Sequence, residues 1–347
     1  MPQSRPAPVR SAATYPDNPV LLRVWRGDWV ESQHRGAWVL VDAAGRVLEG
    51  AGAFDAPVFA RSSVKSLQAL PLIESGAADR FGLTTEELAL VLSSHGGEDC
   101  HTGPVGRLLA RLGLGPEALR CGAHAPFDAR AREELAGRGQ RPSTLHNNCS
   151  GKHAGFLCLA CHLGVAPECY LDPAGPVQQA VRGVVEAMAG AAPGEVETAV
   201  DGCSAPTFRL PLSKLATAIA RVANPESLAP ARRAACERIL EAAARHPELI
   251  AGTRKRLCTD LLRVSAGRLF PKIGGDAVYV VGARGAGRAL AVKVDDGESR
   301  GLAPVVLALC ERFGFLGGQE LERLGEWRAG ITRNWAGLEV GRLEVSA

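Results

Sequence analysis

The chain has 347 residues, 46% hydrophobic and 22% charged, with a formal net charge of +3, the balance of a globular protein able to bury a large core. No basic block forms a nucleic-acid footprint, and the densest run, Arg254-Lys255-Arg256, reads as a solvated turn. No apolar run reaches membrane-spanning length, and residues 1–18 read as a flexible polar, proline-rich tail without the apolar region of a signal peptide.

A cytoplasmic setting is therefore expected, with the ten cysteines mostly reduced. From residue 19 onward one domain is expected, since no internal repeat or long linker divides it. Residues 20–31 and 36–52 read as strands, the second with a hairpin turn near Gly45. The polar stretch Val30-Glu31-Ser32-Gln33-His34-Arg35-Gly36 lies between them as a connection. Arg61-Ser62-Ser63-Val64-Lys65-Ser66-Leu67-Gln68 opens a helix that Pro71 is expected to kink or end. Thr84-Thr85-Glu86-Glu87 is a capping box for a second helix through Leu92, followed by a turn at Ser93-Ser94-His95-Gly96-Gly97-Glu98.

Short helices are expected over 104–114 and 115–120, and a long loop over 121–148. An apolar helix to Leu163 comes after Asn147-Asn148-Cys149-Ser150-Gly151-Lys152-His153. A helix over 174–190 and a short strand over 196–200 lead to the turn Asp201-Gly202-Cys203-Ser204-Ala205-Pro206. Helices are expected at 211–223, 229–245 and 254–265. Lys272-Ile273-Gly274-Gly275 then precedes strands at 277–282 and 288–294, joined around Gly285-Ala286-Gly287. Residues 302–315 read as helix and 336–345 as a last strand. With strands at both ends and helices between, an α+β fold is expected, its terminal strands joined in one antiparallel sheet beside a helical region.

Ser62 and Lys65 stand three apart, on one face of a helix and one turn from each other. An amine beside a hydroxyl makes serine a nucleophile once burial or a second cation removes the amine's proton. Taken alone the spacing is common, and a capping serine with a solvated lysine would explain it. Its weight comes from order: Ser62-x-x-Lys65, a loop serine at Ser94, then Lys272-x-Gly274. That order is shared with the serine β-lactamases and penicillin-binding proteins. Two lysines converging on one pocket would depress each other's pKa, leaving one neutral as base. Ser93-Ser94-His95 in place of Ser-x-Asn, and the absence of an export signal, argue against a β-lactam enzyme.

Several ordered blocks narrow the resemblance. They are Val30-Glu31-Ser32-x-His34-Arg35-Gly36, Arg61-Ser62-Ser63-x-Lys65, Gln68-Ala69-Leu70-Pro71, Ser94-His95-x-Gly97-Glu98-x-x-His101, His146 through His153, and Asp201 through Pro206. Together they resemble the class 3 L-asparaginases, the serine–lysine type of the asparaginase II family, over nearly the whole chain from about residue 20. Ser66 departs from that pattern, which usually has proline after the lysine. The resemblance implies a serine β-lactamase-like fold, a homodimer, and hydrolysis of L-asparagine to L-aspartate and ammonia. It pairs Ser62 with Lys65 as nucleophile and base, and Ser94 with Lys272 as a relay. Arg61 is placed to order the pocket or bind a substrate carboxylate, and His95 is a further candidate for substrate contact. A zinc site at Cys149, Lys152 and Cys203 is also implied. Two thiolates suit zinc, while a lysine ligand must be neutral and His153 is the more ordinary donor beside it. Another small amide such as L-glutamine, or a non-catalytic binding role, are the rival readings.

Cys158-Leu159-Ala160-Cys161-His162 matches a haem-attachment pattern, but core packing explains it inside an apolar helix. Cys100, Cys121, Cys169, Cys236 and Cys310 are assigned to packing, with Cys258 the other cysteine of interest. Gly282-x-x-Gly285-x-Gly287 joins two strands and so reads as a hairpin, not a nucleotide loop.

Overall fold

The computed structural model describes residues 17–347; the tail expected over 1–18 falls almost wholly outside them. Eleven strands are present among the described residues: β1 (Val20–Arg26), β2 (Trp29–Asp42), β3 (Val47–Ala51), β4 (Pro57–Phe59), β5 (Glu197–Val200), β6 (Pro206–Pro211), β7 (Leu269–Gly274), β8 (Val278–Ala283), β9 (Arg288–Val294), β10 (Ile331–Arg333) and β11 (Glu339–Val345). The main sheet runs β10-β11-β1-β2-β9-β8-β7, with β3 beside β2, and each of its pairings is antiparallel. N-terminal strands thus lie between C-terminal ones, Val24 opposite Leu343 and Trp38 opposite Val292. This is the expected mixed α and β architecture, one antiparallel sheet from both chain ends with helices filling the middle of the chain. A small sheet, β4-β6-β5, was not anticipated in full, because β4 and β6 are short and carry proline.

The helix Leu212–Ala223 ties the two regions together. Leu212, Leu215, Ala216, Ile219, Ala220 and Ala223 are buried and recur at the spacing of one helical face. That face packs on β2, β8 and β9. Its far side meets the helix Pro176–Ala189, which packs in turn on the helix Lys65–Glu74. The buried apolar residues form one continuous cluster from Leu21 to Leu324. No helix among the described residues is long and apolar enough to cross a membrane.

Several boundaries differ from expectation. The polar run from Val30 to Gly36 is not a connection; it is the first half of β2, and the turn lies earlier, at Gly27-Asp28. Its backbone is satisfied by β1 while its side chains mostly face outward, so no apolar alternation marks it. Of this run only His34 and Gly36 are buried. His34 Nδ1 lies 2.7 Å from Asp296 Oδ2, and its Nε2 lies 3.2 Å from Arg300 Nη2. Because Arg300 can only donate, His34 carries its proton on Nδ1 and gives it to Asp296. The motif therefore holds the segment around Ser299–Gly301.

Pro71 sits inside the helix Lys65–Glu74 and does not end it. The helix expected from residue 104 begins five residues earlier, at Asp99, behind a Glu98–His101 capping arrangement. The stretch 121–148 contains a helix, Ala129–Gly137, capped by Asp128; it buries only Leu135, which leaves little periodicity to read. Lys272 lies within β7 rather than before it. Pro271 hides this strand in the sequence, yet is tolerated because β7 is the sheet edge and pairs only with β8. The Thr84–Glu87 capping box forms as expected. All ten cysteines are free, but Cys100 and Cys169 are exposed, so packing does not account for those two.

Candidate active site

Three elements bring the chemistry together. Arg61–Val64 forms a 3₁₀ turn that passes directly into the helix Lys65–Glu74. The loop after the helix Thr85–Val91 presents Ser94, and edge strand β7 presents Lys272. Gly274 allows the strand to approach: a Cβ there would stand 2.7 Å from the Ala60 carbonyl oxygen. The three meet at a cavity of about 620 Å³ whose wall includes Ser62, Ser94, Asn148, Cys149, Cys203 and Arg256.

Lys65 and Lys272 are both fully buried and both reach Ser94. Lys272 Nζ lies 2.8 Å from Ser94 Oγ and 3.2 Å from the Ile273 carbonyl. Lys65 Nζ lies 3.1 Å from Ser94 Oγ and 3.5 Å from the Asn148 carbonyl, and also donates to the Ser93 carbonyl. A lysine with three acceptors uses all three protons of an ammonium. Lys272 donates to two partners, Ser94 Oγ and the Ile273 carbonyl, which the two N–H groups of a neutral amine suffice to satisfy. Burial, followed by the charge of Lys65, depresses Lys272 to a pKa of about 7. Burial also lowers Lys65, while the Cys149 thiolate opposes the shift.

The serine–lysine pairing therefore differs from the simple expectation. Among the described residues no side-chain hydrogen bond joins Ser62 to Lys65, whose backbone N–H donates to the Ser62 carbonyl; both amines converge on Ser94. Ser62 is half-buried and opens on the cavity. His95 is not on the cavity wall. Its Nδ1 accepts from Gly97 N–H at 3.1 Å, so its Nε2 donates to Ser150 Oγ at 2.9 Å. Burial holds it neutral, and its ring stacks on His101 with centroids 4.8 Å apart. It braces the Ser94 loop from behind.

Arg61 does face the cavity, but two carboxylates already hold it. Its Nε donates to Asp201 Oδ1 at 2.6 Å, and Nη1 donates to Asp276. Its guanidinium lies against Gly275, where a Cβ would come within 3.1 Å of Cζ. Arg61 has φ +50°, Lys255 φ +50°, and Ser204 and Asp276 φ +69° and +54°. Such backbone costs roughly 1–3 kcal/mol per non-glycine residue and gathers at functional sites; here Arg61 and Lys255 line the cavity, and Ser204 and Asp276 adjoin its lining residues Cys203 and Gly275.

Cys149 and Cys203 lie together, both buried, with Lys152 Nζ 3.0 Å from Cys203 Sγ. A hydrogen bond from the Cys203 thiol, then the charges of Lys65 and Lys152, pull the Cys149 pKa well below its usual value. Cys203 is correspondingly pushed up, so the pair carries one thiolate. Asp201 Oδ2 stands 3.8 Å from Cys203 Sγ. His153 turns elsewhere, its Nδ1 hydrogen-bonded to the Tyr170 hydroxyl at 2.6 Å. Among the described residues, the three-residue groupings of His, Cys, Asp and Glu ligand atoms reduce to Glu98, Cys100 and His101. His153 therefore does not complete the thiol pair, and Lys152 is the donor beside it.

Asp201, Asp276, Arg256 and Tyr279 had no role assigned from the sequence, yet surround or line this cavity. Arg256 carried one readable signal: a cation just before the helix Leu257–Val264 opposes the helix dipole. Tyr279, whose hydroxyl lies 3.2 Å from Cys258 Sγ, carried none.

The L-asparaginase II family model matches residues 22–345. The chain belongs to that family. No curated protein matches the chain in sequence. Among solved structures, Mglu in its glutamate form is 13% identical with a TM-score of 0.44, over 81% of this chain and 61% of Mglu. Mglu in its native form is 15% identical with a TM-score of 0.45, over 87% and 70%. This family member thus spans about 61% of the length of the first of these structures, and likenesses this loose decide nothing about its chemistry.

Proposed function

We propose that the protein hydrolyses L-asparagine to L-aspartate and ammonia through an ester on Ser62. The observation that carries this is the convergence of two buried lysines on one hydroxyl, with a second serine open to the same cavity. The family supports the amide substrate.

Ser94 passes its proton to neutral Lys272 and takes one from Lys65. The freed Lys65 amine, one helical turn from Ser62, accepts the Ser62 proton as Oγ bonds to the side-chain amide carbon. Such bonds tighten only with substrate present, so their length in the free enzyme is no obstacle. Lys65 then protonates the departing nitrogen, the C–N bond breaks and ammonia leaves. Water attacks the ester, its proton passing to the same amines, and L-aspartate is released with Ser62 restored. The positive end of the helix dipole, at the Arg61–Lys65 segment, favours the anionic tetrahedral stage.

Cys149, Cys203 and Lys152 fit zinc in donor type and proximity. A zinc ion held there would supply a fixed positive charge at the cavity wall. A homodimer in the cytoplasm completes the proposal, testable by sedimentation and cell fractionation. The deciding assay is ammonia release from L-asparagine and L-glutamine side by side. Release from asparagine, with a Ser62 acyl adduct in rapid-quench mass spectrometry, is expected. Release from glutamine alone would replace the substrate, and an adduct on Ser94 would reverse the two serines.

A further inference from the structure

Arg256 stands apart from the other cations at the cavity. Arg61 is spanned by Asp201 and Asp276. Arg254 is paired with Asp128 and Glu98. Lys152 lies against the thiol pair. Arg256 lines the cavity, is half-buried, and has no carboxylate partner among the described residues. Its hydrogen bond is from Nη2 to the Ser94 carbonyl at 2.6 Å. A guanidinium has five N–H donors in a rigid fork, so four remain.

Its position is fixed from both ends. The backbone leading to it is held where Thr253 N–H donates to Glu98 Oε1 at 2.9 Å and Thr259 Oγ1 donates to the Gly252 carbonyl at 2.8 Å. The side chain is held by the Ser94 loop. Lys255 beside it is exposed, and adds charge without a fixed geometry. Elsewhere around the cavity the balance is opposite: Arg61 with Asp201 and Asp276 leaves one net negative charge. The two together match a zwitterion held in the cavity.

We propose that Arg256 is the residue that binds the α-carboxylate of the substrate, with the α-ammonium directed to the Asp201–Asp276 side. This rests on the amidohydrolase reading and deepens it. It also moves the carboxylate from Arg61, whose charge is already matched by two protein carboxylates. Selection for amino-acid amides over plain amides then comes from Arg256 and not from the serine–lysine apparatus.

Two truncated substrates test it. Succinamate keeps the carboxylate and lacks the ammonium; β-alaninamide keeps the ammonium and lacks the carboxylate. In the unmodified protein succinamate is favoured in kcat/KM. Arg256→Gln should lower the succinamate to β-alaninamide ratio roughly 10- to 100-fold, the range expected for one charge-assisted pair, and should raise KM for L-asparagine more than it lowers kcat. Arg256→Lys should restore part of the ratio, as a point charge without the fork, and serves if the glutamine variant does not fold. An unchanged ratio with all substrates slowed equally would show that Arg256 acts only by holding the Ser94 loop, and would overturn the proposal. If none of these amides is hydrolysed, the amidohydrolase reading fails by itself. Calorimetry with L-aspartate still decides the inference: weaker binding to Arg256→Gln upholds it, while equal affinity or no binding to either protein refutes it.

Discussion

Lys272→Met tests the electrostatic core of the site through stability, a readout that a decorative lysine would not move. Lys272 is fully buried and holds a pKa of about 7 against an ordinary 10.5. Folding at pH 7 must therefore strip a proton that the unfolded chain keeps, at a cost of roughly 4 kcal/mol by linkage. Methionine has similar length, needs no proton and suits an apolar environment. It forfeits the bonds to Ser94 and Ile273, worth about 1–3 kcal/mol together. The variant should be more stable than the unmodified protein by roughly 1–3 kcal/mol at pH 7, while losing activity by about 10²–10⁴-fold. The sign with pH is definite. Between pH 7 and 10.5 the unfolded lysine binds more protons than the folded one, so the unmodified protein gains stability as pH rises. The variant lacks this gain, and its advantage should shrink by about 2 kcal/mol from pH 7 to pH 9. Urea unfolding of both proteins at the two pH values measures this directly. A variant destabilised equally at both pH values would refute the reasoning.

Other outcomes rest on the same geometry. kcat/KM should rise through an apparent pKa near 7 as Lys272 becomes neutral, and a flat profile from pH 6 to 9 would contradict the relay. Elemental analysis should find zinc in the unmodified protein and little in Cys149→Ala, whose KM should rise more than its kcat falls; a metal-free unmodified protein refutes the site. Gly274→Ala places a Cβ 2.7 Å from the Ala60 carbonyl, so it should cost about 1–3 kcal/mol in thermal unfolding and slow turnover at least tenfold. Retention of full activity by that variant would mean that the approach of β7 to the Ser62 turn is not critical.

The order of Ser62, Lys65, Ser94 and Lys272 was legible along the chain because chemistry depends on residue type, and residue type is what a sequence records. So was the bulk of the fold: the stripe of Leu212–Ala223, the Thr84 capping box and the hairpin at Gly285–Gly287 all arise from local periodicity and turn chemistry. Sites where local preference yields to tertiary pairing were not legible. β7 contains Pro271 and depends on being an edge; the Val30–Gly36 stretch is polar and becomes strand only because β1 lies beside it. The partnership of the functional groups was decided by tertiary structure alone. Two lysines 207 positions apart share Ser94 rather than dividing into two pairs. Asp201 and Asp276 occupy Arg61, which leaves Arg256 as the half-buried guanidinium on the cavity wall without an acid among the described residues. Charge and proton position are properties of neighbours in space, and only the folded chain brings those neighbours within hydrogen-bonding distance.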